Sequence, residues 1–174
     1  GEVQLSERFA ADLGALWPGD GRLGLAVSGG PDSLALLLLA AQALPGRIAA
    51  ATVDHGLRPE SAAEGALVAG ICGDLGVPHD TLTVAVGPGN VQSEARAARY
   101  AALAEWAASH GLAALVTAHH ADDQAETLLL RLNRASGVAG LAGVRARGLV
   151  PGARLPVLRP LLAEWAARRK RLIT

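Results

Sequence analysis

Apolar residues fall into short and long blocks along this chain, and the two kinds alternate. Leu23, Leu25, Ala26 and Val27 make a short block that stops at Gly29. A brief apolar run ending at glycine suits a strand covered on both faces. Leu34 to Ala41 is a longer block with no breaker before Pro45, and it reads as a helix. Upstream, Leu5, Phe9, Leu13 and Leu16 share one face of a short amphipathic helix over Leu5 to Leu16, broken by Pro18-Gly19-Asp20-Gly21. Downstream, Arg47 to Val53 reads as the second strand, and Ser61 to Leu75 as a helix opened by a Ser61–Glu64 capping box. Leu82, Val84 and Val86 alternate within a third strand over Thr81 to Val86. Val91 to His110 is one long helix with Gly111 as its C-cap. Ala113 to Thr117 follows as the fourth strand, then a helix from about Asp122 to Arg134. Gly137, Gly140 and Gly143 punctuate a loop or short helical turns. Arg154 to Leu158 is the fifth strand, before a helix over Leu161 to Arg169. Strands separated by helices predict a doubly wound, mostly parallel five-stranded α/β sheet with helices on both faces.

Composition narrows this picture in three ways. With 174 residues, half of them apolar, the chain is read as one domain over 1–174 with a core of ordinary size. Its 16 basic and 16 acidic residues balance, so no global field attracts nucleic acid. The one cysteine, Cys72, excludes an internal disulfide framework and any Cys-x-x-Cys site. No apolar run reaches the roughly 20 residues of a membrane span, so a soluble, cytoplasmic domain is expected.

Ligands of doubly wound sheets bind beyond the carboxyl ends of the strands. Three polar clusters obey that rule. Ser28 to Ser33 follows the first strand, Asp54 to Arg58 the second, and Ala118 to Asp123 the fourth. The first cluster, Ser28-Gly29-Gly30-Pro31-Asp32-Ser33, joins a strand to a helix N-terminus. Its glycines are expected to supply unusual backbone angles and close approaches. Free N–H groups and the helix dipole would converge there on a phosphate. A Walker A loop needs a lysine, and the only one in the chain is Lys170. The dinucleotide fingerprint GxGxxG is not met either. The remaining pattern, SGGxDS, resembles the pyrophosphate loop of the PP-loop ATP-pyrophosphatase superfamily, whose members split ATP between its α- and β-phosphates.

Further segments make the resemblance specific. VDHGLR (53–58), ARAARY (95–100), TAHHADDQAETLLLRL (117–132), SGVAGLAGV (136–144) and LRPLL (158–162) occur in order after SGGPDS. Together they are similar to the N-terminal domain of the tRNA(Ile)-lysidine synthetase family. The resemblance implies ATP and Mg²⁺ as cofactors. It implies an isoleucine tRNA with a wobble cytidine and free L-lysine as partners, a candidate homodimer, and no membrane. The cytidine C2 oxygen would be adenylated and lysine would displace AMP. Ser28, Gly29, Gly30 and Ser33 would cradle pyrophosphate, Asp32 would bind Mg²⁺ or the lysine ammonium, and Asp54 and His55 would lie near the ribose or adenine. Family members add C-terminal tRNA-binding domains that this chain is expected to lack.

On a helix beginning near Asp122, residues Asp123, Glu126 and Thr127 share a face suited to an ammonium and a metal, while Asp122 caps or faces solvent. His120 suits contact with phosphate or base, or proton movement from the amine. His119 and Asp123 lack the companions of a zinc site. Arg96 and Arg99, three apart beside Tyr100, read alone as a solvated helix face; the resemblance makes them phosphate or RNA contacts. Arg131 and Arg134 raise the same question. The catalytic set expected is Asp32, His120, Asp123, Arg96 and Arg99, with Asp123, Glu126, Thr127 and Arg131 on substrate and Asp32 and Asp123 as metal ligands. Arg168-Arg169-Lys170-Arg171 reads as a solvated tail, and Trp17, Trp106 and Trp165 as packing. Two alternatives stay open: another PP-loop enzyme, a tRNA thiolase or amidotransferase-type synthetase, or a nucleotide-binding domain without full activity. Cys72 alone argues against thiolases that need paired cysteines.

Overall fold

The computed structural model describes residues 2–56, 59–85, 91–118, 147–150 and 155–160. They form α1 (Glu2–Leu16), β1 (Leu23–Ala26), α2 (Pro31–Ala43), β2 (Ile48–Asp54), α3 (Glu60–Leu75), β3 (His79–Thr83), α4 (Val91–Ser109), β4 (Ala114–Thr117), β5 (Arg147–Leu149) and β6 (Pro156–Leu158). One six-stranded sheet runs in the order β3-β2-β1-β4-β6-β5. All neighbours are parallel except β5 and β6.

Side-chain alternation along the strands divides the core in two. Leu23, Leu25 and Val27 of the first strand, with Ile48, Ala50, Ala114 and Val116, meet Phe9, Leu13, Leu36, Leu37, Val68 and Cys72 from α1, α2 and α3. On the opposite face Ala49, Ala51, Leu115 and Val157 meet Tyr100, Leu103, Trp106 and Ala107 of α4. Helices therefore cover both faces, as the alternating blocks predict. Cys72 is buried and burial pushes its thiol up, which suits a small core residue.

Gly24 is where the second layer comes closest to the sheet. A Cβ there would stand 2.7 Å from Trp106 Cζ3 and 2.8 Å from Leu112 Cδ1. The Trp106 indole is fixed from its far side, because Nε1 donates to Asp80 Oδ2 at 2.9 Å. His110 completes the cluster, with Nε2 3.4 Å from the same carboxylate oxygen.

Several boundaries differ from expectation. The sheet has six strands rather than five, because Arg147–Leu149 adds an antiparallel edge of three residues. So short a strand carries too few positions for alternation to show. The third strand occupies His79–Thr83, not 81–86. Pairing begins directly after Pro78, whose carbonyl accepts the Ala50 N–H at 2.8 Å, and an edge strand tolerates His79, Asp80 and Thr81 where apolar residues were sought. Val84 N–H still bonds the Asp54 carbonyl at 2.9 Å, and Val86 lies outside the described residues. The capping box is absent: α3 starts at Glu60 with Pro59 as N-cap and no side-chain cap bond, while Ser61 is buried against the sheet. Gly111 at φ +64 does end the turn after α4. The helices expected over 122–134 and 161–169 lie outside the described residues.

His79 makes stability depend on pH. Its Nε2 lies 3.0 Å from Thr52 Oγ1, and burial pushes the imidazole below its ordinary 6.5, with the Asp80 charge pulling partly back. The folded state thus favours the neutral ring, and the unfolded chain takes up the proton first. Stability from this group is complete above pH 6.5 and is lost as pH falls below it toward the lower folded value. His79→Gln is expected to flatten that part of the melting-temperature profile; an unchanged profile would remove His79 as its source.

Candidate phosphate-binding site

The chain crosses the sheet once at its middle. From β1 it moves outward to β2 and β3, then returns to β4 on the other side of β1. The direction of winding thus reverses between β1 and β4, and it is at the carboxyl ends of such strands that doubly wound sheets hold their ligand crevice. Register puts Ala26 beside both Ala51 and Thr117, so the segments after β1, β2 and β4 all emerge at that edge.

The β1–α2 loop is braced internally. Val27 N–H still bonds the Ala51 carbonyl at 2.9 Å, after which the chain leaves the sheet. Ser28 N–H donates to Ser33 Oγ at 2.8 Å, and Gly30 N–H donates to Ser28 Oγ at 3.3 Å. Ser33 is buried, so its oxygen holds the loop while its hydroxyl hydrogen remains for a further acceptor. Gly30 is the N-cap of α2, with no side-chain cap bond, and Pro31 occupies the first turn. The first ladder bond runs from Leu34 N–H to the Gly30 carbonyl at 3.1 Å, leaving the Asp32 and Ser33 amides outside the ladder at the positive end of the helix.

The backbone angles of these glycines differ from expectation, whereas the expected close approach is met at Gly29, where a Cβ would stand 3.0 Å from Glu64 Cγ. Gly30 has φ −73 and ψ 157, ordinary extended backbone, and neither Gly29 nor Gly30 is among the positive-φ glycines. A Cβ on Gly30 would meet only Ser28 Oγ, at 3.5 Å. Nothing among the described residues requires glycine there. What its absent side chain leaves is open space over an anion-favouring helix end.

At the end of β2, Asp54 Oδ1 accepts the Gly56 N–H at 2.9 Å and closes a turn in which Gly56 adopts φ +68. His55 is half-buried beside it. Asp54 thus shapes the second wall of the crevice.

Arg96 and Arg99 reach the same edge from α4. That helix runs against the strands, leaving β3 at its carboxyl end and returning to the start of β4. Trp106 packs on Gly24, and Tyr100 lies about 9 Å back along the helix, roughly three strand residues, which brings it level with Val27. Arg96 is one turn further, level with the loop. Both guanidinium carbons lie over the Tyr100 ring, 5.6 Å away for Arg96 and 5.2 Å for Arg99. Arg99 Nε and the Tyr100 hydroxyl are buried without a hydrogen-bond partner among the described residues.

Among the expected site residues, Ser28, Gly29, Gly30, Asp32, Ser33, Asp54, His55, Arg96 and Arg99 gather at one edge. His120, Asp123, Glu126, Thr127 and Arg131 lie outside the described residues, as do His119 and Arg134. One residue of the loop's surroundings was not anticipated. Glu64 of α3, taken from sequence as a capping residue, leans on Gly29. No local pattern marks it, because the contact joins residues 35 positions apart.

A family model described as PP-loop domain matches residues 3–172. A tRNA(Ile)-lysidine synthase of Novosphingobium aromaticivorans is 58% identical over 170 residues, covering 97% of this chain and 51% of the relative. One of Zymomonas mobilis is 54% identical, covering 83% of this chain and 45% of the relative. The chain thus spans about half the length of the curated relatives it matches. Among solved structures, the U34-tRNA thiolase NcsA of Methanococcus maripaludis superposes with a TM-score of 0.62 at 16% identity, covering 89% of this chain and 58% of that one. At that identity the likeness is one of fold.

Proposed function

From a chain that belongs to the PP-loop domain family, we propose the ATP-using domain of a ligase that joins lysine to C2 of the wobble cytidine of an isoleucine tRNA. The observation that carries this is the braced, lysine-free strand-to-helix loop at the sheet's switch point, in a chain 58% identical to a lysidine synthase. A cytidine carbonyl carbon is a poor electrophile. Attack of its oxygen on the α-phosphorus breaks the bond to pyrophosphate and converts that oxygen to an adenylate. The lysine amine then attacks C2, the C2–O bond breaks, and AMP departs.

Each wall of the crevice has a task in this scheme. The Gly29 N–H of the Ser28–Gly30 segment and the first amides of α2 donate to the departing pyrophosphate, and the Ser33 hydroxyl offers it one further hydrogen. Arg96 and Arg99 offset charge on phosphate or the RNA backbone. Asp54 and His55 border the nucleoside. His120 receives the amine's proton, and Asp123, Glu126, Thr127 and Arg131 bind substrate.

A magnesium ion suits this donor set. No group of three His, Cys, Asp or Glu residues is assembled among the described residues, and Mg²⁺ commonly takes one or two carboxylates with phosphate oxygens and water. Asp32 in the first turn of α2 is such a carboxylate, with Asp123 the second. When bound, the ion would neutralise charge on the leaving pyrophosphate. No described helix is long and apolar enough to cross a membrane. Action in the cytoplasm, as a homodimer, belongs to the same proposal.

Labelled lysine and ATP supplied with the cytidine-bearing tRNA test it. Incorporation of lysine into RNA, with stoichiometric AMP, is expected. ATP binding without incorporation would reduce the chain to a nucleotide-binding domain.

A further inference from the structure

Glu64 sits where a phosphate loop ordinarily avoids negative charge. A Cβ on Gly29 would stand 3.0 Å from Glu64 Cγ and 3.4 Å from both Cδ and Oε1. Adding about 1.5 Å for the missing bond puts the carboxylate within roughly 5 Å of the Gly29 Cα. The residue is exposed, and no hydrogen bond or ion pair ties its carboxylate among the described residues. Ser61, Gly65, Val68 and Cys72 form the buried face of α3, which leaves Glu64 on the flank toward β1.

The two elements that meet at this contact carry charge of one sign, the cations of the edge, Arg96 and Arg99, coming from α4 on the other face of the sheet. Between Leu23 and Gly46 the chain has no lysine or arginine, and its only charged residue is Asp32. Helix α3 holds Glu60, Glu64 and Asp74 and no basic residue. A metal-free triphosphate entering the loop therefore approaches two carboxylates and meets no cation from these two elements. Backbone amides and a helix dipole attract it with about half a unit charge. A divalent cation on the phosphates reverses the sign of the interaction with Glu64.

We propose that Glu64 makes the β1–α2 loop selective for the magnesium-bound form of ATP over the metal-free form. The inference rests on the nucleotide reading of this site and adds a residue that discriminates between two states of one ligand. Coulomb interaction of one charge with phosphates about 5–8 Å away, at the dielectric of a protein surface, corresponds to a change on the order of 10-fold in affinity.

Calorimetric titration of the full chain with ATP plus excess Mg²⁺, and with ATP in EDTA, tests it. Wild type is expected to prefer the magnesium form. Glu64→Gln, which keeps size and exposure, is expected to narrow that preference about 10-fold, mainly by tightening metal-free ATP. Glu60→Gln, which removes the same charge one turn away from Gly29, should leave the ratio nearly unchanged. A Glu64→Gln ratio equal to wild type, while Mg-ATP still binds, would overturn the proposal and leave the nucleotide reading standing. A Glu60→Gln shift as large as that of Glu64→Gln would also overturn it, because net charge and not position would be acting. Wild type that binds neither form would remove both readings.

Discussion

Gly30→Asp is expected to abolish ATP binding while slightly stabilising the protein. The backbone at Gly30, φ −73 and ψ 157, suits any residue, and among the described residues the new Cβ meets only Ser28 Oγ at 3.5 Å. Gly30 is the N-cap of α2 with no side-chain bond of its own. Aspartate there gains a capping interaction and a favourable position on the dipole, about a few tenths of a kcal/mol over glycine. The same carboxylate fills the space proposed for phosphate and places like charge on it, for a loss of about 100-fold or more in affinity. Melting temperature and ATP titration on one preparation check both halves. A variant that binds normally would mean the phosphates lie elsewhere, and one that unfolds would mean the loop is more constrained than its contacts suggest.

Gly24→Ala is expected to act in the opposite sense, lowering stability and sparing the site. Its Cβ would overlap the Trp106 ring at 2.7 Å and Leu112 Cδ1 at 2.8 Å. Neither gives way easily. The indole is held by its bond to Asp80 at 2.9 Å, and both side chains are buried. Overpacking of this kind costs about 1–3 kcal/mol. At this chain length each kcal/mol is worth about 2–4 °C of melting temperature, so a fall of roughly 2–12 °C is anticipated. ATP affinity of the folded fraction should be unchanged, since Gly24 lies at the far end of β1 from the loop. An unaltered melting temperature would show that α4 can slide.

These two glycines mark what could and could not be read from the chain. The short apolar block 23–27 and the leucine-rich block behind it specify strand, turn and helix by local pattern alone, and they formed as expected. So did α1, where Phe9 and Leu13 turn inward as their spacing implies. The site's location followed from topology, since parallel strands deliver their following turns to one edge. The role of glycine in the loop followed only in part, at the close approach of Gly29 to Glu64. The Gly-Gly turn suggested backbone angles that a Cβ would block at Gly29 and Gly30, whereas the positive-φ glycines include Gly46, Gly56, Gly76 and Gly111, at turns after the elements. Glycine looks alike in sequence whether it relieves a backbone angle or clears space.

Long-range contacts were equally hidden. Ser61 and Glu64 have capping-box spacing, but the helix begins one residue earlier and Glu64 faces Gly29. Asp80, Trp106 and His110 converge only because the end of α4 reaches over to the start of β3. The bounds of β3 and the existence of β5 escaped the sequence reading because edge pairing relies on backbone bonds and tolerates polar side chains.

Pyrophosphate exchange tests the central claim most directly. Labelled pyrophosphate, Mg-ATP and the chain are incubated with the cytidine-bearing isoleucine tRNA, with lysine withheld. The account predicts that label appears in ATP only when that tRNA is present, because adenylation of its cytidine is reversible: pyrophosphate leaves, and labelled pyrophosphate attacks the adenylate while the RNA stays bound. Absence of exchange despite binding of both ATP and tRNA would contradict it, as would exchange that proceeds equally with a tRNA lacking the wobble cytidine.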